Sequence, residues 1–476
     1  MVARRWGGAA AFALMVGLAP GGQPAAAAEP AAQAQEERIR ELEKRVAELE
    51  EMLRKALEAG SLGDSAELRR RIDMLTKELE KARMGEAAAP RELKSVYGLG
   101  PAASKVYGVE RGVSVGGYGE VLLQDFDATR DDGARTGRDT IADMLRAVLY
   151  FGYKFNDTIV FNSEIEFEHG TTGSGDEDLG EVSVEFANID FLLSKPANVR
   201  AGMVLLPIGF VNELHEPPTF LSARRPDVEN RIIPSTWREV GVGGFGDVGP
   251  FSWRSYVVAG LNAEGFAAGS GVREGRQSGS ESLARDVAFT ARADYHGLPG
   301  LLAGASFYQG ESGQGAETAA EEVIGGEVTL YEVHAEYVFR GLQARALWTA
   351  AQVDEAEEIN LHILGLDPAM DPNDAFAGVG SRLTGWYVEA GYDVLAPLGE
   401  TTSQSLTPFV RYERYDTQDR TAPGFASNGA NDVRLVTCGF SYKPIVNLAI
   451  KVDYQDYKRA NGTGTDQINA ALGWLF

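Results

Sequence analysis

Apolar and polar residues alternate with a period of two from about Lys105 to Phe476, which is the pattern of β-strands with one face in an apolar medium. We delimit about sixteen such segments, an even number as in bacterial single-chain barrels. The last segment is a clear example, and its apolar positions are Phe476, Trp474, Leu472, Ala470 and Ile468. The pattern predicts an all-β architecture.

The connections between these segments alternate between short turns and long polar loops. The short ones are at Asn156-Asp157, Lys195-Pro196, Gly249-Pro250, Pro299-Gly300, Arg340-Gly341 and Pro444-Ile445. Residues 396–405 form one connection that is longer than a turn. Short turns at one end and long loops at the other are typical of outer-membrane barrels. We therefore predict a transmembrane antiparallel β-barrel of about sixteen strands, preceded by an α-helical coiled coil.

Aromatic residues cluster beside the short turns, as expected for the girdle of a membrane barrel. They include Phe151, Tyr153, Phe155, Phe251, Trp253, Phe440, Tyr442, Trp474 and Phe476. The terminal Phe476 on the apolar face resembles the assembly signal of outer-membrane barrels. This resemblance implies the barrel-assembly machinery as a partner. A soluble edge strand is the alternative for this segment.

The residues before the barrel divide into four predicted regions. Residues 1–28 have a basic start, a short apolar run and a small-residue cleavage site, so they are typical of a secretory signal peptide. A linker at 29–36 leads into residues 37–84, where apolar positions spaced 3 and 4 apart predict a coiled coil with a break near 60–64. The coil continues through the break or folds back as a hairpin, and a solvated single helix is the alternative. A linker at 85–104 precedes the barrel at 105–476.

Composition and charge narrow the classes of function. The formal net charge of −24 argues against nucleic acid as a partner, and a single cysteine among 476 residues excludes a disulfide scaffold. We predict a protein of the Gram-negative outer membrane, in contact with lipid, with the coiled coil in the periplasm.

Strand alternation also assigns charged residues to the interior of the barrel. The inward cations that we single out are Arg146, Arg254, Arg292, Arg345, Arg411 and Lys451. Because a barrel of this size is too wide to be filled by its own side chains, these cations are expected to line water. We expect most of them to form cross-strand ion pairs with inward carboxylates and a minority to touch permeating solute.

The long connection at 211–239 is unusually apolar for a loop in water. It contains four prolines together with Phe220, Ile232, Ile233 and Trp237, which predicts a loop folded into the channel as a constriction. The stretch from Pro217 through Pro234-Ser-Thr-Trp237-Arg-Glu to Gly243 resembles the constriction region of the phosphate-selective porin O/P family. The flanking Ile189-Asp-Phe191 and Val199-Arg-Ala-Gly202 segments are also similar.

This resemblance, which extends over about residues 113–476, implies a homotrimer of sixteen-stranded channels that bind anions at the constriction. The residues that it marks as anion contacts are Arg224, Arg225, Arg231 and Arg238. Five acidic residues are interleaved with these arginines, so the loop is not cationic overall.

The functional prediction is a porin for diffusion of small hydrophilic solutes or ions. A preference for anions or phosphate is what the family resemblance implies, and the acids interleaved in the loop argue against it. The alternative is a structural anchor whose coiled coil tethers a periplasmic partner or the cell wall. A hydrolase would need a Ser/His/acid cluster, and Gly112-Val-Ser-Val-Gly116 lies in a strand rather than at a nucleophile elbow. We predict no enzymatic activity, no cofactor and no metal.

Overall fold

The computed structural model describes Lys44 and residues 93–171, 180–318, 321–366, 378–401 and 403–476. The predicted signal peptide at 1–28, the linker at 29–36 and the coiled coil at 37–84 lie outside the described residues, apart from Lys44. The description below therefore concerns the part of the chain from Leu93 onward.

Sixteen antiparallel strands of the described residues close into a barrel. They are β1 Gly112–Phe126, β2 Ile141–Lys154, β3 Ile159–Glu168, β4 Val182–Ser194, β5 Ala197–Leu205, β6 Arg238–Val248, β7 Phe251–Ala259, β8 Val287–Tyr295, β9 Leu301–Gly310, β10 Val328–Phe339, β11 Leu342–Val353, β12 Arg382–Tyr392, β13 Ser405–Arg420, β14 Asp432–Ile445, β15 Leu448–Arg459 and β16 Gln467–Leu475. Each strand pairs with its neighbours in sequence, and β1 pairs with β16. The predicted barrel and its strand number are confirmed.

The short helices lie outside the strands that form the barrel wall. The described residues include α1 Lys105–Gly108, α2 Val228–Arg231 and α3 Ala356–Leu366. Single 3₁₀ turns cover Pro217–Thr219, Ala263–Gly265 and Arg273–Gly275, and a longer one at Ala396–Thr401 occupies the connection expected to exceed a turn. No helix among these described segments has the length and apolar character required to cross a membrane.

The two surfaces of the wall differ in polarity. Large apolar side chains are exposed on the outside, including the aromatic residues Phe151, Phe155, Phe251, Phe440 and Phe476 at the short-turn end. The inside carries charged and amide side chains that are buried beneath other parts of the chain. An apolar exterior around a closed, polar interior is the arrangement of transmembrane β-barrels, because closure pairs every backbone group of the wall.

β-Bulges shift the alternation of inward-facing and outward-facing side chains along some strands. In the β3–β4 pair, Glu164 is opposite Phe186 while Ile165 is opposite Val184, so Glu185 is an extra residue. Both Glu185 and Phe186 consequently point inward and are buried. The bulge explains how Glu185 and Asp190, which are five residues apart, both reach the lumen.

Three sequence-based assignments change. Residues 93–104, expected to be a linker, fold into the barrel because Leu99, Ala102 and Ala103 pack against its inner wall. The constriction loop spans residues 206–237 rather than 211–239, and Arg238 is the first residue of β6. The alternation along Phe251–Asn262 predicts that Leu261 faces lipid with Phe251 and Trp253, but Leu261 follows the end of β7 and lies fully buried in the interior core.

Candidate functional site: a filled lumen with three levels

The constriction loop, residues 206–237, folds into the barrel. Its apolar side chains Ile208, Ile232, Ile233 and Trp237 are fully buried in a core shared with inward residues of the strand wall. The Trp237 ring lies 4.5 Å from that of Tyr308, centroid to centroid. Burial of these groups holds the loop against one side of the lumen.

Asn212 fastens the two ends of this loop together. Its amide nitrogen donates to the carbonyl oxygens of Leu206 at 2.7 Å and Trp237 at 2.9 Å, and its side-chain oxygen accepts from the Trp237 backbone nitrogen. All of these groups are buried, so the hydrogen bonds supply partners to backbone atoms that water does not reach. The loop is thus a closed unit rather than an extended connection.

The predicted inward cations are inside the barrel, and most of them form ion pairs. Arg254 and Arg292 both contact Asp294 and Glu213. Arg411 is paired with two carboxylates in the same way. The other pairs are Arg345–Glu336, Arg146 with Glu120 and Glu166, and Arg238–Glu185.

The expectation that all of these cations line open water is wrong for several of them. Lys451 donates to the backbone oxygen of Ser222 at 2.9 Å, and its ammonium lies 3.6 Å from the centre of the Phe220 ring. Arg411 is fully buried beside Ser222. The constriction loop covers this side of the wall because its apolar side chains gain more by packing there than by facing water.

The first level of the lumen is an arginine-lined cavity at the long-loop end, which we call the vestibule. Its volume is about 400 Å³. Its charged lining residues are Arg130, Arg138, Arg224, Arg231, Arg459 and Asp227. Two of the arginines come from the constriction loop and the others from the connections after β1 and from the end of β15.

The vestibule arginines are incompletely neutralised. Neither Arg224 nor Arg231 forms a salt bridge with any residue that the structure describes. Burial, followed by the neighbouring guanidinium groups of Arg459 and Arg224, lowers the pKa of Arg138 below its ordinary value. Like charges held together in this way favour occupation of the cavity by an anion.

The second level, which we call the polar constriction, lies beside Arg225 of the loop and the wall strands β1–β4 and β6. Several buried side-chain atoms here have no hydrogen-bond partner within the described part of the chain. They are Glu120 Oε1, Arg146 Nε, Glu164 Oε2, Glu185 Oε2, Arg225 Nε and Arg238 Nε. Most buried polar atoms in proteins have a partner, so these unpartnered atoms of both charge signs mark the most polar level of the lumen.

The third level is apolar and lies one step closer to the short-turn end. Tyr118, Val148, Tyr150 and Phe186 are next to the residues of the polar constriction on their strands, on the side of the short turns, and they point into the lumen. They pack against residues 93–108, which we call the strap.

The predicted site residues thus separate into groups. Arg224 and Arg231 reach the vestibule, and Arg225, Arg146 and Arg238 reach the polar constriction. Arg254 and Arg292 line a separate cavity of about 410 Å³ at the short-turn end. Arg345, Arg411 and Lys451 lie against the constriction loop. Sequence reasoning missed Arg130, Arg138 and Arg459, because nothing in their local sequence shows that separate connections converge above the loop.

The architecture defines a class, a porin-like β-barrel. OmpF of Salmonella typhi, solved in complex with daunomycin, matches 77% of this chain and 98% of its own with a TM-score of 0.50 and 12% identity. The DcaP outer-membrane channel of Acinetobacter baumannii gives a TM-score of 0.48 at 15% identity, over 76% and 97% of the two chains. The anion-selective porin from Comamonas acidovorans gives 0.45 at 12% identity, over 77% and 100%.

No protein-family model matches the chain. A protein of Aquifex aeolicus (strain VF5), described only as an uncharacterised protein, is 38% identical over 399 residues. The match spans 82% of this chain and 86% of that protein. The chain therefore belongs to the same family as the Aquifex protein.

Proposed function

We propose that the protein is an outer-membrane channel for passive diffusion of small hydrophilic solutes, with a preference for anions and in particular for phosphate-like oxyanions. The apolar exterior supports a position in lipid, and the polar lumen supports an aqueous path. The short-turn end then faces the periplasm and the long-loop end the outside.

The vestibule carries the anion preference. Its charged lining residues, five arginines and one aspartate, have a formal charge of +4, and one of these arginines, Arg130, is bridged to Asp132 at 2.6 Å. A field of one sign within a narrow mouth concentrates counter-ions before they reach the constriction. Guanidinium groups also present paired N–H donors that match the oxygens of phosphate and carboxylate groups.

The polar constriction reduces the anion preference of the channel. Arg146 lies between Glu120 and Glu166, and Arg238 is paired with Glu185 at 2.6 Å. Charges of both signs therefore line the narrow part, and a solute is attracted by the vestibule more than by the constriction. We expect a moderate anion preference rather than exclusion of cations.

A planar bilayer measurement tests this proposal. The zero-current potential of the purified protein under a potassium chloride gradient should have the sign of anion preference. Added phosphate should reduce chloride current by competing for the vestibule. A potential of the opposite sign would refute the anion preference but would still be that of a solute channel. The absence of current from the wild-type protein and from every variant described below would refute the channel function itself.

The oligomeric state is part of the proposal. We expect a homotrimer, as the family resemblance implies, with each copy forming its own pore. Chemical crosslinking in the membrane before solubilisation should give a trimer band. A monomer alone would remove this part of the proposal without affecting the pore.

A further inference from the structure

The strap forms the apolar floor of the lumen. Its residues Leu99, Ala102, Ala103 and Val106 are at most 2% exposed. The first three join a core cluster with inward residues of the wall, namely Tyr118, Val148, Tyr150, Phe186, Leu205 and Leu475. The floor lies on the short-turn side of the polar constriction, so the polar side chains of that level face apolar ones.

Hydrogen bonds tie the strap to both the constriction loop and the wall. The Glu216 carboxylate accepts from the backbone nitrogens of Ala102 at 2.9 Å and Ala103 at 3.4 Å. The Asn162 amide donates to the carbonyl oxygen of Ala103 at 2.9 Å. These partners are separated from the strap by 59 to 114 positions in sequence, so the contacts are tertiary and specific.

A second anchor holds the two tyrosines of the strap. The Tyr107 hydroxyl donates to Asp190 Oδ2 at 2.5 Å. Arg200 donates to the Tyr107 oxygen at 3.1 Å and to the Tyr97 carbonyl oxygen at 3.3 Å. Arg200 is itself paired with Asp190 at 2.7 Å.

Glycines provide the space in which the strap lies. A Cβ atom on Gly152 would lie 2.6 Å from Val106 Cγ2, and one on Gly116 would lie 2.8 Å from the Ala102 oxygen. On the strap itself, a Cβ on Gly100 would lie 2.5 Å from Glu216 Oε1. None of these three glycines has a positive φ, so it is the close approach, and not backbone conformation, that requires the missing side chain.

From this geometry we propose that the strap is a plug that closes the periplasmic half of the lumen, and that solutes pass only when it withdraws. The inference rests on the proposed channel function. Apolar constrictions in pores block ions by excluding water. The floor made by Leu99, Ala102 and the facing wall residues has that character.

The strap is the segment of the lumen best suited to move. It buries two alanines, one leucine and one valine, whereas the constriction loop buries Trp237 and several isoleucines. Segments with fewer buried apolar contacts open first in native proteins. Residues 95–98 of the strap also border a cavity of about 410 Å³ at the short-turn end, which offers room for displacement.

A disulfide between strap and wall tests the plug in the full-length protein. Val106→Cys and Gly152→Cys place two thiols side by side. The Cβ built on Gly152 lies 2.8 Å from Val106 Cβ, which is shorter than the roughly 3.5–4.5 Å of a disulfide, so the strap shifts by about 1 Å when the bond forms. Cys438→Ser removes the only native cysteine. Diamide oxidises the two thiols to a disulfide, which loss of thiol labelling verifies, and dithiothreitol reverses it.

The oxidised variant should lose at least about tenfold in channel conductance, and reduction should restore it. The Val106→Cys, Cys438→Ser variant is the matched control and should not respond to either reagent. Gly152→Val supplies the opposite perturbation: its side chain evicts Val106, so conductance should rise above that of the wild type.

The outcomes separate the plug from the channel. Equal conductance of the oxidised, reduced and Gly152→Val proteins would overturn the plug and leave the channel function intact. No conductance in any of these proteins, with Gly152→Val correctly inserted in the bilayer, would overturn the channel function on which the plug rests.

Discussion

Neutralising the two loop arginines of the vestibule is the sharpest test of the proposed selectivity. Arg224→Gln together with Arg231→Gln lowers the formal charge of the vestibule from +4 to +2. Neither arginine forms a salt bridge with a described residue, so their replacement leaves no carboxylate stranded. The change should therefore act on permeation rather than on folding.

The size of the effect follows from the dimensions of the cavity. A volume of about 400 Å³ places an anion at its centre roughly 7 Å from each guanidinium, where two unit charges interact by about 0.6 kcal/mol in water. A Debye length of about 10 Å at 0.1 M salt roughly halves that energy. Loss of two charges then disfavours a monovalent anion by about 0.6 kcal/mol, roughly threefold, and a divalent anion by about 1.2 kcal/mol, roughly eightfold.

The assay is the anion-to-cation permeability ratio from zero-current potentials at a low and a high salt concentration. The ratio should fall about eightfold in the double variant, because potassium is favoured by the same roughly 0.6 kcal/mol by which chloride is disfavoured. The difference should shrink at high salt because screening is stronger. Arg414→Gln with Arg434→Gln is the matched control, since these arginines face each other on the outer surface of β13 and β14. A double variant that conducts normally with an unchanged ratio would refute the role of the vestibule.

Three further changes probe the loop and its surroundings. Asp227→Asn should raise the same permeability ratio, because it removes the one carboxylate among the described residues that line the vestibule; a fall would contradict the electrostatic account. Trp237→Ala should lower stability by about 3–5 kcal/mol, since it empties a fully buried site, and an unchanged unfolding midpoint in denaturant would show that the loop is not packed as described. Arg411→Met leaves Glu413 buried without its partner and should cost about 3–5 kcal/mol in the same measurement, whereas Arg434→Met on the exposed outer face should be neutral.

The constriction loop was predictable from composition. Phe220, Ile232, Ile233 and Trp237 are too apolar for a loop in water, and the structure buries all four. The sequence could not show which wall residues the loop would cover, because that depends on which strands face one another across the closed barrel. The expectation of water-lining cations was therefore wrong for Arg411 and Lys451.

The position of the strap inside the barrel was not predicted from the sequence, for a different reason. Its glycines and alanines have the composition of a linker, and its contacts lie far along the chain, at Asn162 and Glu216. Gly152 likewise gives no local sign that it makes room for Val106. Only the folded barrel shows that these residues were matched to each other.

The sequence by itself therefore determined the strands of the barrel wall. The period of two is a local property of each strand, and the alternation of short turns and long loops can be seen directly along the chain. The tertiary structure alone decided what fills the wall. Arg130, Arg138, Arg224, Arg231 and Arg459 meet in one cavity, and the strap closes the opposite end, because closure of β1 onto β16 brings distant connections into one lumen. Selectivity and gating depend on such long-range contacts, which no local periodicity encodes.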